Sequence, residues 1–339
     1  MSFFKKDNKK KKDIICINCG KIGHIYKRCH LPITSYGIIC VQLNGIDIGT
    51  LLAFSKKMES RIPDMNDIIT LENILKDVNE EYLRKNMKYL MIKRRISFSI
   101  IEFIRGKYKL GDIDYILNTM RLMTNSEKDN LIKHDFDYNW SVLWNINSKN
   151  KAKNYSGEYE ESKMRFNKVK SGYEVNIYNN KSIITLKELI DVSGRNYEQP
   201  EWGFPKGKKE LTEVDIDCAK REFEEETDFK NGEYIVLKMN PINELFMGSN
   251  KVKYKNRYYI AQSLTDKVPV VNKNNEKQVM EIGDIGWFTI DECLSNIRDY
   301  SVEKKDVISN LSFILTYFIT NLKKKVDDQL RNMKPLCGY

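Results

Sequence analysis

The stretch WGFPKGKKELTEVDIDCAKREFEEETDF, residues 202–229, sets a glycine-lysine loop ahead of a strongly acidic segment. Residues 214–227 contain no proline or glycine, and Val214, Ala219 and Phe223 are spaced to face a core, so a helix is expected there. On that helix Glu222, Glu225 and Glu226 fall at i, i+3 and i+4, which puts three carboxylates on one face. Carboxylates so close repel and raise each other's pKa unless cations intervene. Hard divalent ions with oxygen ligands, magnesium or manganese, are the natural neutraliser. A solvated helix face explains many acid runs taken alone, so the rest of the chain must decide.

The surrounding protein is basic. Its 339 residues carry a net charge of +10, with 41% hydrophobic and 11% aromatic residues. That composition supports a core in one large domain or two to three small ones, and the charge favours a polyanionic partner. The longest apolar run, LSFILTYFI at 311–319, is too short to span a bilayer, and no signal-like segment opens the chain. A soluble, intracellular protein is expected. Cys40, Cys218, Cys293 and Cys337 are scattered, unlike a disulfide framework.

Three further cysteines are clustered. Cys16, Cys19, His24 and Cys29 follow C-x2-C-x4-H-x4-C within CINCGKIGHIYKRC, and three thiolates with one imidazole complete a tetrahedral zinc shell. His30 follows the last ligand, but His24 fits the spacing. The pattern resembles a zinc knuckle of the retroviral nucleocapsid type. That likeness implies base stacking by Ile17, Ile25 and Tyr26 and phosphate contacts from Lys21, Lys27 and Arg28, beside six lysines in the segment 5–12.

Between these landmarks SYGIICVQL (35–43) and YLMIKRR (89–95) are expected as strands, with one surface helix in TLENILKDVNEEYLRKNMK (70–88) between them. Residues from about 98 to 170 show helical spacing, and Trp140 and Trp144, one turn apart, are expected to pack between helices, with base stacking as the lesser alternative. SIITLKELIDVSGR (182–195) suits a short helix or a strand. EYIVLKM, ELFMGS, NRYYIAQSL and IGDIGWFT read as strands, and an amphipathic helix is expected from about 302 to 326.

Gly207, Glu213, Arg221, Glu222, Phe223, Glu225, Glu226 and Phe229 together resemble the Nudix box, G-x5-E-x7-R-E-U-x-E-E-x-G-U, where U is apolar. Asp228 stands where that box ends in glycine. A glycine there serves a left-handed turn, which aspartate tolerates at some cost. The resemblance implies that Glu222, Glu225 and Glu226 hold divalent ions, helped by a backbone carbonyl near Lys206 or Gly207. It also implies that Arg221 orients the glutamates and that Glu213 supports the loop. Lys206, Lys208 and Lys209 are expected to add positive charge at the phosphates.

WGFPKGK with DCAKREFEEET resembles mRNA-decapping Nudix enzymes, and RRISFSIIEFIRGKY with FDYNWSVLW resembles those of poxviruses, African swine fever virus and mimivirus-like giant viruses. The fold class this implies is α+β, a Nudix α/β/α sandwich with an inserted helical domain and an N-terminal zinc knuckle. The expected divisions are 1–32 for the basic tail and knuckle and 33–97 for the first part of the Nudix domain with a helical insertion. Residues 98–175 would form the inserted helical RNA-binding domain, 176–330 the Nudix catalytic domain and 331–339 a C-terminal tail. The implied activity is metal-dependent hydrolysis of the cap pyrophosphate on mRNA, in the host cytoplasm or from a virion. An acidic residue before the final strand, Glu281 or else Glu276, would assist as base or ligand. Tyr197, Tyr254, Tyr258, Tyr259 and Phe246 are the aromatic candidates for the cap base. Inositol pyrophosphates or nucleoside diphosphate derivatives as substrate, or a non-catalytic RNA-binding role, are the alternatives.

Overall fold

The computed structural model describes residues 14–60, 64–144, 156–177 and 180–333. The lysine run at 5–12, Cys337 and the end of the tail assigned to 331–339 lie outside the described residues. At the centre is β1 (Ile33–Gln42), buried without interruption from Tyr36 to Val41. A strand covered on both faces reads as a continuous apolar run, as SYGIICVQL does.

Three helices follow β1: α1 (Ile48–Ser60), α2 (Met65–Leu75) and α3 (Glu80–Asn86). The single surface helix expected over 70–88 is corrected on two counts. The chain breaks after Leu75 and restarts where the Asn79 side chain caps α3, and α2 buries Ile68, Leu71 and Leu75 in the core. Apolar residues at i, i+3 and i+7 form a packed stripe, and the many charges occupy the other sides of the helix.

Strand β2 (Lys88–Arg94) leads into α4 (Phe98–Ile104), α5 (Ile113–Arg121), α6 (Asn125–Lys133), α7 (Phe136–Leu143) and α8 (Ser156–Ser171). The hairpin β3 (Tyr173–Ile177) and β4 (Asn180–Ile184) and helix α9 (Leu186–Ser193) complete this excursion. The stretch 182–195 is thus strand and then helix, divided at Thr185, whose side chain and that of Glu188 form a capping box. These helices enclose their own core of Phe103, Met120, Phe136, Trp140, Phe166 and Leu189, among others. Trp140 is buried edge-on to Trp144 at 5.8 Å.

The chain returns through two short strands, β5 (Trp202–Gly203) and β6 (Lys206–Gly207), to α10 (Asp215–Thr227). Then come β7 (Tyr234–Val236), β8 (Ile242–Met247), β9 (Lys253–Ser263), α11 (Glu276–Glu281), β10 (Ile282–Phe288), α12 (Ile290–Asn296) and α13 (Val302–Met333). The main sheet runs β10-β2-β1-β9-β7, with β5 on β2, β6 on β1 and β8 on β9. Strands β1 and β9 pair in parallel from Ile33↔Tyr254 to Val41↔Gln262, and the other pairings are antiparallel.

One face of the sheet carries α10, with Phe223 and Phe229 packed on Ile38, Leu90 and Ile285. The other face is covered by α1, α2, α3, α12 and α13. Helix α13 extends past Val326 to Met333 and sinks Ile308, Leu311, Leu315, Ile319, Leu322 and Val326 along one stripe. Each such aliphatic side chain contributes up to about 1.5–3 kcal/mol on leaving water. The result is a helix-sheet-helix sandwich with a helical excursion between β2 and β5.

A carboxylate-lined cavity and a cysteine-histidine cluster

Helix α10 presents the acidic face. Asp215 and Asp217 occupy its first turn, where carboxylates suit the positive end of the helix dipole. Cys218, Ala219 and Phe223 turn to the sheet, whereas Val214, expected in the core, is 60% exposed because it serves as the N-cap residue outside the helix. The helix stops at Asp228, in the left-handed region at φ 58° and ψ 17°. Its carboxylate accepts from Lys230 Nζ at 2.8 Å and Asn272 Nδ2 at 3.0 Å.

The loop before α10 fits only because it carries glycine. A Cβ on Gly207 would lie 1.9 Å from the carboxyl carbon of Glu222, and one on Gly37 would lie 2.1 Å from the Pro205 carbonyl oxygen. Arg221 clamps this loop to the helix. Its Nε and Nη2 donate to the two oxygens of Glu213 at 2.8 and 2.9 Å, its Nη1 to Glu222 at 2.7 Å and its Nη2 to the Lys208 carbonyl at 3.1 Å. These bonds hold the Glu213 carboxyl down at about 2 and push the guanidinium above its ordinary range.

Glu226 is 6% exposed and accepts from the Lys206 backbone N–H at 2.8 Å. Burial pushes its carboxyl up to about 8, against the pull of the nearby Lys206 ammonium and amide. Burial also raises Glu222, opposed by Arg221. Glu225 pairs with Lys277 of α11, and Gln278 of the same helix donates to the Glu226 carbonyl at 3.0 Å. Helix α11 thereby sets Glu281 beside the box glutamates.

Glu222, Glu225, Glu226 and Glu281 line one cavity of about 390 Å3. Its other side is Ile96, Ile101, Leu143, Trp144 and Met280, and Arg94, Arg95 and Lys277 complete it. Most of that apolar side comes from α4 and the end of α7, more than 70 residues from α10 in the chain. The expectation that Trp144 simply packs between helices is incomplete, since it also faces this cavity.

Several expected residues lie elsewhere. Lys208 sits 5.4 Å over the Tyr26 ring, and Lys209 pairs with Asp215 at 2.9 Å. Burial draws the Lys206 ammonium below the usual lysine range, and none of the three lines the cavity. Glu276 is not among the lining residues either. None of the five aromatic candidates lines the cavity, and each ring has a partner elsewhere. Tyr258 is fully buried and donates to Glu244 at 3.0 Å, Tyr254 stacks on Phe246 at 5.4 Å, Tyr197 lies under Arg298 at 3.9 Å, and Arg257 lies 5.9 Å over Tyr259. Arg94, Arg95, Lys277, Ile101 and Leu143 were not anticipated. Only the tertiary fold brings them to the box, and no spacing rule could have found them.

The four ligand atoms of Cys16, Cys19, His24 and Cys29 lie within 4.8 Å of one another. A tetrahedral zinc with bonds near 2.3 Å separates its sulfurs by about 3.8 Å, so the donor set fits that ion. Gly20 and Gly23 turn the loop at φ 72° and 104°, and His30 stands outside the quartet. The Asn18 amide and His24 lower the Cys29 thiol to about 6, which favours the thiolate that metals need. Asn18 also anchors the loop to the sheet, donating to the Pro32 carbonyl at 3.0 Å and accepting from the Thr34 N–H at 2.9 Å. Ile17 and Ile25 are exposed, as is Arg28, whereas Tyr26 is half-buried beneath Lys208. The side chain of Lys27 lies outside the described residues. Among the described residues no helix is long and apolar enough to cross a membrane.

A Nudix domain model matches residues 175–311. A protein of Acanthamoeba polyphaga mimivirus named for mRNA decapping is 33% identical over 92% of this chain and 97% of its own. The mRNA-decapping protein g5R of an African swine fever virus isolate is 25% identical over 67% of this chain and 89% of its own. Among solved structures, an Ap4A hydrolase of C. elegans aligns over 34% of this chain and 77% of its own, at 17% identity and a TM-score of 0.28.

Proposed function

The chain belongs to the Nudix family it shares with these viral proteins, and from that premise we propose that it hydrolyses the pyrophosphate of the 5′ cap of mRNA. The products are 7-methylguanosine diphosphate and RNA with a 5′-monophosphate. The observation that carries this reading is the two-sided cavity, carboxylates on one wall and an apolar surface from the inserted helices on the other. Such a site suits a diphosphate joined to a flat base. A diphosphoinositol polyphosphate has no apolar ring to set against Ile101, Leu143 and Trp144.

Glu222, Glu225 and Glu226, with the Gly207 carbonyl, are the residues that would hold magnesium or manganese. The oxygen-only donor set suits a hard divalent ion, and glycine at 207 is what lets the loop lie against the Glu222 carboxyl. When bound, such an ion neutralises phosphate charge and lowers the pKa of water. Arg221, Lys277 and the Lys206 N–H hold the carboxylates of Glu222, Glu225 and Glu226, and Glu281 takes a proton from the attacking water. The water oxygen bonds to one phosphorus of the bridge as the anhydride P–O bond breaks, and the departing phosphate oxygen keeps the electron pair. The knuckle, loaded with zinc, and the helices of 98–175 are the RNA grip, with Ile17, Ile25, Lys21, Lys27 and Arg28 meeting the strand. A viral protein of this kind acts on capped mRNA in the host-cell cytoplasm.

The test uses RNA labelled in its cap phosphates, with magnesium or manganese and Glu225→Gln as control. Release of 7-methylguanosine diphosphate by the wild type, reduced by about 10²-fold or more in the variant, is the expected result. Equal release by both proteins would remove the metal-ligand assignment, and release by neither would remove the cap as substrate.

A further inference from the structure

Three consecutive cations, Lys93, Arg94 and Arg95, close β2 where it meets the cavity. Side chains alternate across a strand, and two of the three are committed. Lys93 pairs with Asp284 at 3.1 Å and lies over the Trp202 ring. Arg95 spends its guanidinium on the carbonyls of Met280, Val142 and Leu143, at 2.9, 3.1 and 2.9 Å, which ties α7 to α11.

Arg94 is different. It continues the row of Leu90 and Ile92 on the face that α10 covers, so one step beyond the core it lines the cavity that Glu222, Glu225, Glu226 and Glu281 also line. Its guanidinium carbon lies over the ring of Phe98, 3.9 Å from the centroid, and Phe98 is 50% exposed. Its Nε is buried with no hydrogen-bond partner, and among the described residues it forms no ion pair. A planar cation with free donors, held by an aromatic ring in a pocket of carboxylates, needs an acceptor that its own protein does not supply. Phosphate matches that geometry, since two guanidinium N–H groups dock on two phosphate oxygens.

We propose that Arg94, stacked on Phe98, grips the non-bridging oxygens of the substrate's pyrophosphate and is a catalytic residue of this site. The assignment rests on the reading of the cavity as a pyrophosphate-cleaving site. Glu222, Glu225 and Glu226 would hold the ions that neutralise the same phosphates, and Arg94 offsets charge that builds on the leaving phosphate.

The experiment compares wild type, Arg94→Lys and Arg94→Gln in the full chain. It reads calorimetric binding of inorganic pyrophosphate with magnesium, kcat and KM on capped RNA, and the thermal unfolding midpoint. With unfolding unchanged, Arg94→Gln is expected to weaken pyrophosphate binding tenfold or more and to lower kcat/KM by about 10²-fold. Arg94→Lys, which keeps the charge and loses the fork and the stack, should fall between them, and it serves as the test variant if Arg94→Gln does not fold. If both variants bind pyrophosphate and cleave as the wild type does, Arg94 has no such role while decapping stands. If the wild type cleaves no capped RNA yet loses pyrophosphate binding with Arg94, the arginine assignment stands and the cap reading falls. A wild type that binds no pyrophosphate overturns the assignment.

Discussion

Asp228 shows how far one residue can depart from a motif without cost to the fold. Its left-handed backbone is strained for a side-chain-bearing residue, by about 1 kcal/mol. Its bonds to Lys230 and Asn272 return a similar amount, about 0.5–1.5 kcal/mol each when partly exposed. Asp228→Gly is therefore expected to shift unfolding by less than about 1 kcal/mol in urea titration. A loss of several kcal/mol would show that the side chain, not the turn, holds the helix end. Glu213 gives a pH signature. Its carboxyl is held down at about 2 in the folded chain, against about 4.3 unfolded. The stability it adds is complete above about pH 4.3 and is lost as pH falls toward 2. Urea midpoints of Glu213→Gln should accordingly fall less steeply than those of the wild type between pH 4.5 and 2.

At the scale of elements, the helices and strands around the acidic helix could be read from the chain because their apolar periods are regular. β1 and β2 are unbroken runs, and α10 carries its pattern between a loop and a left-handed stop. What could not be read was commitment. The sequence offers five aromatic residues as partners for a base, and the fold occupies every one of them: Tyr258 with Glu244, Tyr254 with Phe246, Tyr197 with Arg298, Tyr259 with Arg257. Lys209 lies in the right loop but belongs to Asp215. The Tyr258–Glu244 and Tyr197–Arg298 pairs span more than a dozen residues, and tertiary geometry that leaves no local trace sets them. Arg298 is the strongest case. Almost buried, it donates to the Leu122 carbonyl at 2.7 Å, to Glu201 at 3.1 Å and to the Gln199 carbonyl at 2.8 Å, joining the helical excursion to the segment that re-enters the sheet. Arg298→Leu leaves Glu201 buried and unpaired, and a loss of about 3–5 kcal/mol in chemical unfolding is expected. A loss below about 1 kcal/mol would mean that water replaces the arginine.

Across the whole molecule the two candidate metal sites are linked through Lys208. Tyr26 of the cysteine-histidine loop lies under Lys208, and the Lys208 carbonyl is held by the arginine that also holds Glu213 and Glu222. The loop is thus docked on the sheet rather than trailing from it. Removal of residues 1–32 should weaken binding of single-stranded RNA and flatten its dependence on salt, because every phosphate that the shortened chain leaves unneutralised keeps its counterion. Filter binding over about 50–300 mM salt would read the change. An unaltered slope would show that this segment meets no phosphate.

The excursion of residues 96–201 leaves β2 after Arg95 and comes back as β5, which pairs with β2 at Lys93↔Trp202 and Ile92↔Gly203. Departure and return occupy neighbouring rungs of one ladder. The helical layer is therefore a cassette whose ends are already stapled together. A lineage could lengthen, shrink or exchange it without disturbing the register of the strands beneath. The carboxylate wall would persist through such exchanges, while the facing wall, and with it the choice of what is held against the carboxylates, would be free to change.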